Sequence, residues 1–338
     1  MTIFAVRYFG ALIIGLGLTG SVRAQEYQDA VAAYVHQDYA AALRLFRQLA
    51  TNGNADAQLN LGFMYANGYG TPKDEEQASS WFRKAADQGN AAAQHNIGFV
   101  YLNGQGLPKD DQKALFWFRK AADQGYPPAQ HNVGIMYASG RGVSKDYQQA
   151  LYWFRKAADQ NYTPAQCDLG FVYARGLGLP VDNQQALYWY RKAAEYGNVL
   201  AQVTLGAMYA AGQGTRKDDE ESLSWYRKAA EQSNVSAQHN LGLIYSNGRG
   251  VPKDDQGAIY WFRKAADQGF ADAQYELALF YANGRGVPED YQQAYFWLLL
   301  ASSGGEPKAI NKRDQVEFVI TPQQRAAAQA DTRNWRPR

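Results

Sequence analysis

One feature constrains this chain more than any other: a 36-residue period. The tetrapeptide Ala-Gln-His-Asn occurs at residues 93–96, 129–132 and 237–240, one and then three periods apart, and these copies hold three of the four histidines. Seven full units follow in register: 55–90, 91–126, 127–162, 163–198, 199–234, 235–270 and 271–306. A fixed period of this length marks a tandem array. Each unit is too small to bury its own apolar face and hides it against its neighbours.

Within a unit, two helical patterns flank a glycine loop. Positions 3, 7, 10 and 11 of the first, as in Ala93, Ile97, Val100 and Tyr101, share one face of a 3.6-residue helix. Position 8 is Gly in six units and Ala278 in the seventh. A mid-helix Gly is about 1 kcal/mol less favourable than Ala, so its recurrence on the packed face implies close approach between helices. The loop reads Gly-x-Gly, as in Gly104–Gly106, and its first glycine suits a left-handed helix cap. It lacks the preceding strand and the following Lys-Ser/Thr of a phosphate-binding loop. Asp at position 20 of every unit, from Asp74 to Asp290, reads as the N-cap of the second helix, commonly with a capping-box Gln or Glu three residues on. Seven of the eight tryptophans occupy position 27 and read as core. Arg-Lys at positions 29–30 is expected to keep the outer surface hydrated and to complement the helix dipole.

The ends depart from the pattern, as terminal repeats do. Residues 25–54 read as a shortened N-terminal unit without the Gly-x-Gly loop. In the seventh unit Leu299-Leu300 replaces Arg-Lys, so the outer surface turns apolar and needs a cover. Residues 307–338 supply it as capping helices and tail, the last helix starting at a Thr321–Gln324 capping box with Pro322 at its first position. Residues 1–24 read as a signal peptide: Arg7, an apolar run from Tyr8 to about Leu18 that is too short to span a bilayer, and Val22-Arg23-Ala24 before a cleavage point. Export to the periplasm or beyond is the expectation. Cleavage would remove two basic and no acidic residues and leave a formally neutral chain with no footprint for nucleic acid or membrane. The single cysteine, Cys167, forms no internal disulfide, so packing alone holds the protein.

These residues resemble the Sel1-like repeat family, a tetratricopeptide-like array. The pattern "AQxxLGxxYxxGxGVPxDxxxAxxWFRKAAxQG" is nearly complete in seven units over 55–306 and looser over 25–54. The resemblance implies an all-α, α/α superhelical solenoid with an N-terminal partial repeat and C-terminal capping helices. It also implies a non-catalytic adaptor or scaffold that binds a protein or peptide. A cysteine-rich branch of the family is associated with β-lactam binding or hydrolysis, and a cell-wall or β-lactam-type ligand is the alternative function; no unit here carries that branch's cysteine pair.

By the same resemblance the first helices line a concave groove, and positions 5, 6 and 9 would face it. The candidate partner-binding set is Asn60, Phe63, His95, Asn96, Phe99, His131, Asn132, Phe171, His239 and Asn240. Asn amides satisfy both N–H and C=O groups of an extended backbone, and Phe supplies apolar pockets. The alternative is that these side chains only pack adjacent first helices. His95, His131, Cys167 and Asp168 also invite a metal reading, but equivalent positions spread ligands along a line where zinc needs three or four converging at about 2 Å. A Cys167–His131 nucleophilic pair would need an orienting group and an oxyanion hole that the sequence does not show. No cofactor and no metal are expected.

Overall fold

A computed structural model describes residues 22–337. Residues 1–21, most of the expected signal peptide, lie outside the described residues, and the first helix begins at Val22 of the Val-Arg-Ala motif. The described residues form eighteen helices and no strand. They fall into two compact units that divide within one helix, the first running through Val172 with Leu177–Pro180, the second Tyr173–Gly176 and the residues from Val181 on.

The first unit contains α1 (Val22–Val35), α2 (Tyr39–Thr51), α3 (Ala55–Asn67), α4 (Glu75–Asp87), α5 (Ala91–Asn103), α6 (Asp111–Asp123), α7 (Pro127–Ser139), α8 (Tyr147–Ala158) and most of α9 (Thr163–Arg175). The second contains α10 (Asn183–Glu195), α11 (Val199–Ala211), α12 (Asp219–Glu231), α13 (Val235–Asn247), α14 (Asp255–Asp267), α15 (Ala271–Ala282), α16 (Tyr291–Ser303), α17 (Pro307–Glu317) and α18 (Pro322–Asn334). In each unit, consecutive helices pair as hairpins and each hairpin packs on the next. The all-α hairpin stack expected from the period is the observed fold, with α1–α2 as the partial repeat and α17–α18 as the cap.

Local signals place the helix ends. Asn90 caps α5 by accepting from the Ala93 amide at 2.9 Å, and Gly104 closes it in the left-handed region at φ 74°. Asp110 opens α6 by accepting from the Lys113 amide at 2.9 Å. The Asp half of the expected capping box recurs at all seven second helices. Among the described residues the reciprocal box forms only at Thr321 and Gln324 of α18.

The glycines explain the packing distance. A Cβ added to Gly98 would lie 2.6 Å from the Phe118 ring, and one on Gly242 would lie 2.4 Å from the Phe262 ring. Close approach at position 8 is therefore between a helix backbone and the aromatic ring of position 28. In the seventh repeat the pair is Ala278 and Leu298, both fully buried, a larger helix residue against a slimmer partner. The second loop glycine works between repeats. A Cβ on Gly106 would fall 2.1 Å from the Glu75 carbonyl oxygen, and one on Gly142 would fall 2.4 Å from that of Asp111, so each loop sits on the preceding second helix.

Two polar clamps join neighbouring hairpins, and the sequence reading assigned neither. Gln94 at position 4 is buried; its amide donates to the Ala86 carbonyl of the preceding repeat at 3.2 Å, while its oxygen accepts from Gln124 at 2.7 Å. The same three-part link recurs at Gln58, Gln130, Gln202 and Gln238. The arginine of position 29, expected to be merely hydrated, reaches the next repeat. Arg119 donates to the Tyr137 hydroxyl at 3.0 Å and lies 5.9 Å from the centre of the Trp153 ring. Arg83 does the same with Tyr101 and Trp117.

At the C-terminal end α17 and α18 pack on α16. Leu300, Trp297, Val316, Ile320 and Ala328 share one buried cluster, and the Glu317 carboxylate accepts from Tyr295 at 3.1 Å and Arg325 at 2.5 Å.

Candidate functional site

The residues at positions 5, 6 and 9 behave differently in the two units. In the first unit they are buried: Asn60, Phe63, His95, Asn96, Phe99, His131 and Asn132 are all shielded, and Phe171 is half-buried. Their polar atoms meet one another rather than facing a free groove, because position 5 of one repeat reaches position 6 of the next. Asn60 donates to the Tyr27 hydroxyl at 2.8 Å. The Asn132 amide lies 2.8 Å from His95 Nε2, and His131 Nε2 lies 2.7 Å from the Asp168 carboxylate. Asn96 turns back on its own helix to the Ala92 carbonyl at 2.7 Å.

Burial pulls the His95 imidazole down to about 3, with His131 nearby acting in the same direction. A neutral ring has an acceptor nitrogen, which suits the Asn132 amide as donor. In the next rung the imidazole of His131 donates to a carboxylate. Burial, with Asp168 adjacent, pushes the Cys167 thiol up to about 12, so it is held as the weakly nucleophilic thiol. His131 Nε2 is engaged by Asp168. Among the described residues no three His, Cys, Asp or Glu side chains converge as a metal-ligand set.

Why histidine recurs in these three repeats is settled by a partner thirty-one residues on. His95 meets Tyr126, His131 meets Tyr162 and His239 meets Phe270, with ring centres 5.4, 5.4 and 5.3 Å apart. The position-28 rings Phe118, Phe154 and Phe262 lie on another side of each imidazole. In this chain position 5 is His where position 36 of the same repeat is Tyr or Phe with a Phe at 28, and Leu59, Cys167 or Val203 where position 36 is Asn. Positions 5 and 36 read together carry that signal in the sequence.

In the second unit the same face is half-open. Val203, Thr204, His239, Asn240, Leu243, Tyr275, Glu276 and Leu279 are half-buried and Ala207 is exposed. Burial lowers the His239 pKa and raises that of Glu276. These residues combine apolar surface with amide, imidazole and carboxyl groups along consecutive first helices. Among the described residues no helix is long and apolar enough to cross a membrane.

Comparison with known proteins assigns the array. The Sel1 repeat model matches residues 26–54, 55–90, 91–126, 127–162, 163–198, 199–234, 235–270 and 271–306. No curated protein matches. Among solved structures, the chain is similar to a protective antigen present in uropathogenic Escherichia coli strains displaying an SLR fold, with 34% identity, coverage of 94% of this chain and 72% of that one, and a TM-score of 0.80. It is also similar to a Sel1 repeat protein from Oxalobacter formigenes, with 38% identity, coverage of 71% of this chain and 98% of that one, and a TM-score of 0.65. With eight matched units and these structural neighbours, the chain belongs to the Sel1 repeat family.

Proposed function

We propose that this chain is a non-catalytic scaffold of the bacterial cell envelope that holds a protein or peptide segment against its first helices. Sel1 repeat arrays generally serve as scaffolds for protein interaction. The observation that carries the reading is the contrast between the buried, mutually bonded positions 5 and 6 of the first unit and the half-open ones of the second. The proposed contact set therefore centres on His239 and Asn240, with Leu243, Tyr275 and Leu279 as apolar neighbours. Asn60, Phe63, His95, Asn96, Phe99, His131, Asn132 and Phe171 serve as the packed wall. The neutral charge of the chain without residues 1–24 fits a partner recognised by shape and hydrogen bonds rather than by bulk electrostatics.

The test uses a photo-crosslinking amino acid placed in turn at Leu243, Leu279 and Tyr188, with irradiation of intact cells. Tyr188 is exposed on a second helix. Discrete adducts from the two leucine positions and none from Tyr188 are expected; identical adducts from all three, or none, reject the reading. Mature protein recovered from the periplasmic fraction with Gln25 at its N-terminus is the matching result for export.

A further inference from the structure

A second site of different chemistry lies in the second unit, where α18 and the residues after it cover the second helices of the last two repeats. A cavity of about 400 Å³ opens there, within the size range of small-molecule sites. Phe296, Trp297 and Trp335 form its aromatic lining, with the Phe296 and Trp297 rings edge to face at 4.9 Å. Trp335 and Pro337 come back against the turn at Gly269, within 3.6–3.7 Å of where a Cβ there would be, which holds that wall in place.

The polar lining decides what fits. Arg263, Arg336, Asp267 and Asp331 all border the cavity, so its formal charge is balanced. Both arginines are already engaged. Arg336 donates to the carbonyls of Arg333 at 3.0 Å and Trp335 at 2.6 Å, while Arg263 donates to the Tyr281 hydroxyl and lies 5.6 Å from the centre of the Trp297 ring. Among the described residues, neither the Asp267 nor the Asp331 carboxylate has a hydrogen-bond or ion-pair partner. The amides of Gln293 and Asn334 add further donors and acceptors.

An anion would meet two unpaired carboxylates. A bare cation would meet two guanidinium groups. What remains is a neutral molecule rich in O–H donors, with an apolar face to lie on aromatic rings. We propose that this cavity binds a neutral saccharide, its C–H face against Phe296 and Trp335 and its hydroxyls donating to Asp267 and Asp331. Hydrogen bonds to ionised acceptors are the stronger kind, so these carboxylates set the affinity.

The test is calorimetric titration of the full chain, with tryptophan emission followed in parallel. The probes are glucose, N-acetylglucosamine, cellobiose and N,N′-diacetylchitobiose, with glucuronate and putrescine as charged controls. At least one neutral sugar should bind and shift the emission, and neither control should. Asp331→Asn should weaken that sugar about tenfold, the loss expected for one hydrogen bond to a charged group. Trp335→Phe, which keeps an aromatic wall, should weaken it less. Unchanged melting temperatures in both variants separate lost contacts from a loosened cap. Binding of a control alone, absence of sugar binding, or sugar binding indifferent to Asp331→Asn overturns the proposal.

Discussion

A single carbon atom sets the spacing inside each hairpin. The Cβ of an alanine at position 98 would sit 2.6 Å from the Phe118 ring, and overpacking of this kind typically costs about 1–3 kcal/mol, against the roughly 1 kcal/mol that Ala gains over Gly in a helix. Gly98→Ala should therefore lower stability by up to about 2 kcal/mol in urea unfolding. The double variant with Phe118→Leu, which copies the Ala278 and Leu298 pair of the seventh repeat, should recover most of it. The recurrent glycine was legible in the sequence. The ring it faces was not, because the pattern shows which face is packed but not which atom arrives there. His95 gives a second residue-scale prediction. Its pKa is about 3 in the fold and about 6.5 in the unfolded chain, so the unfolded state binds more protons between these values and stability falls as pH drops from 6.5. The slope from this residue is on the order of 1 kcal/mol per pH unit. His95→Leu should lower stability at pH 7 by leaving the Asn132 amide unpaired, yet flatten thermal melting between pH 6.5 and 4.5; an unchanged slope would show that His95 is not the group responsible.

At the scale of the helices, what joins one hairpin to the next is polar as well as apolar. Gln94 holds the end of α4 through the Ala86 carbonyl and the end of α6 through Gln124. Gln94→Leu keeps the volume roughly constant and removes both bonds, but the Ala86 carbonyl keeps the Gly89 amide as a donor at 3.0 Å and Gln124 lies exposed, so neither partner is stranded. We expect about 1–3 kcal/mol lost, two hydrogen bonds at about 0.5–1.5 kcal/mol each, with hydrogen exchange rising at the ends of α4 and α6 first. Arg119→Ala, at a more exposed site, should cost about 1 kcal/mol by comparison. The helices themselves were readable from Asp and Gly at fixed places, because caps act within a few residues of sequence. The clamps were not. Glutamine at position 4 lies outside the apolar set, and its role appears only when a carbonyl from the preceding repeat comes within hydrogen-bonding distance.

At the scale of the whole chain, stability is distributed: each repeat relies on its neighbours, and the last relies on the cap. Deletion of residues 307–338 uncovers the face containing Leu300 and Trp297, both buried in the intact protein. An exposed apolar end of this kind marks an association site. The truncated chain should form concentration-dependent oligomers by light scattering, and Leu299→Arg with Leu300→Lys, restoring the residues of the other repeats, should reverse this. A monodisperse truncated monomer would mean that the cap is dispensable.

The period, the helix pairs, the caps and the need for a C-terminal cover were determined by the sequence alone, since each rests on spacing or on contacts a few residues apart. Only the tertiary structure decided the fate of the Ala-Gln-His-Asn side chains. The hydrogen bonds of His95 with Asn132 and of His131 with Asp168 join residues 37 apart, and nothing in the period says whether a polar side chain at position 5 or 6 meets water, a partner or the next helix. In the first unit it meets the next helix, because Tyr126 and Tyr162 close over the histidines and Asn132 and Asp168 complete their hydrogen bonds.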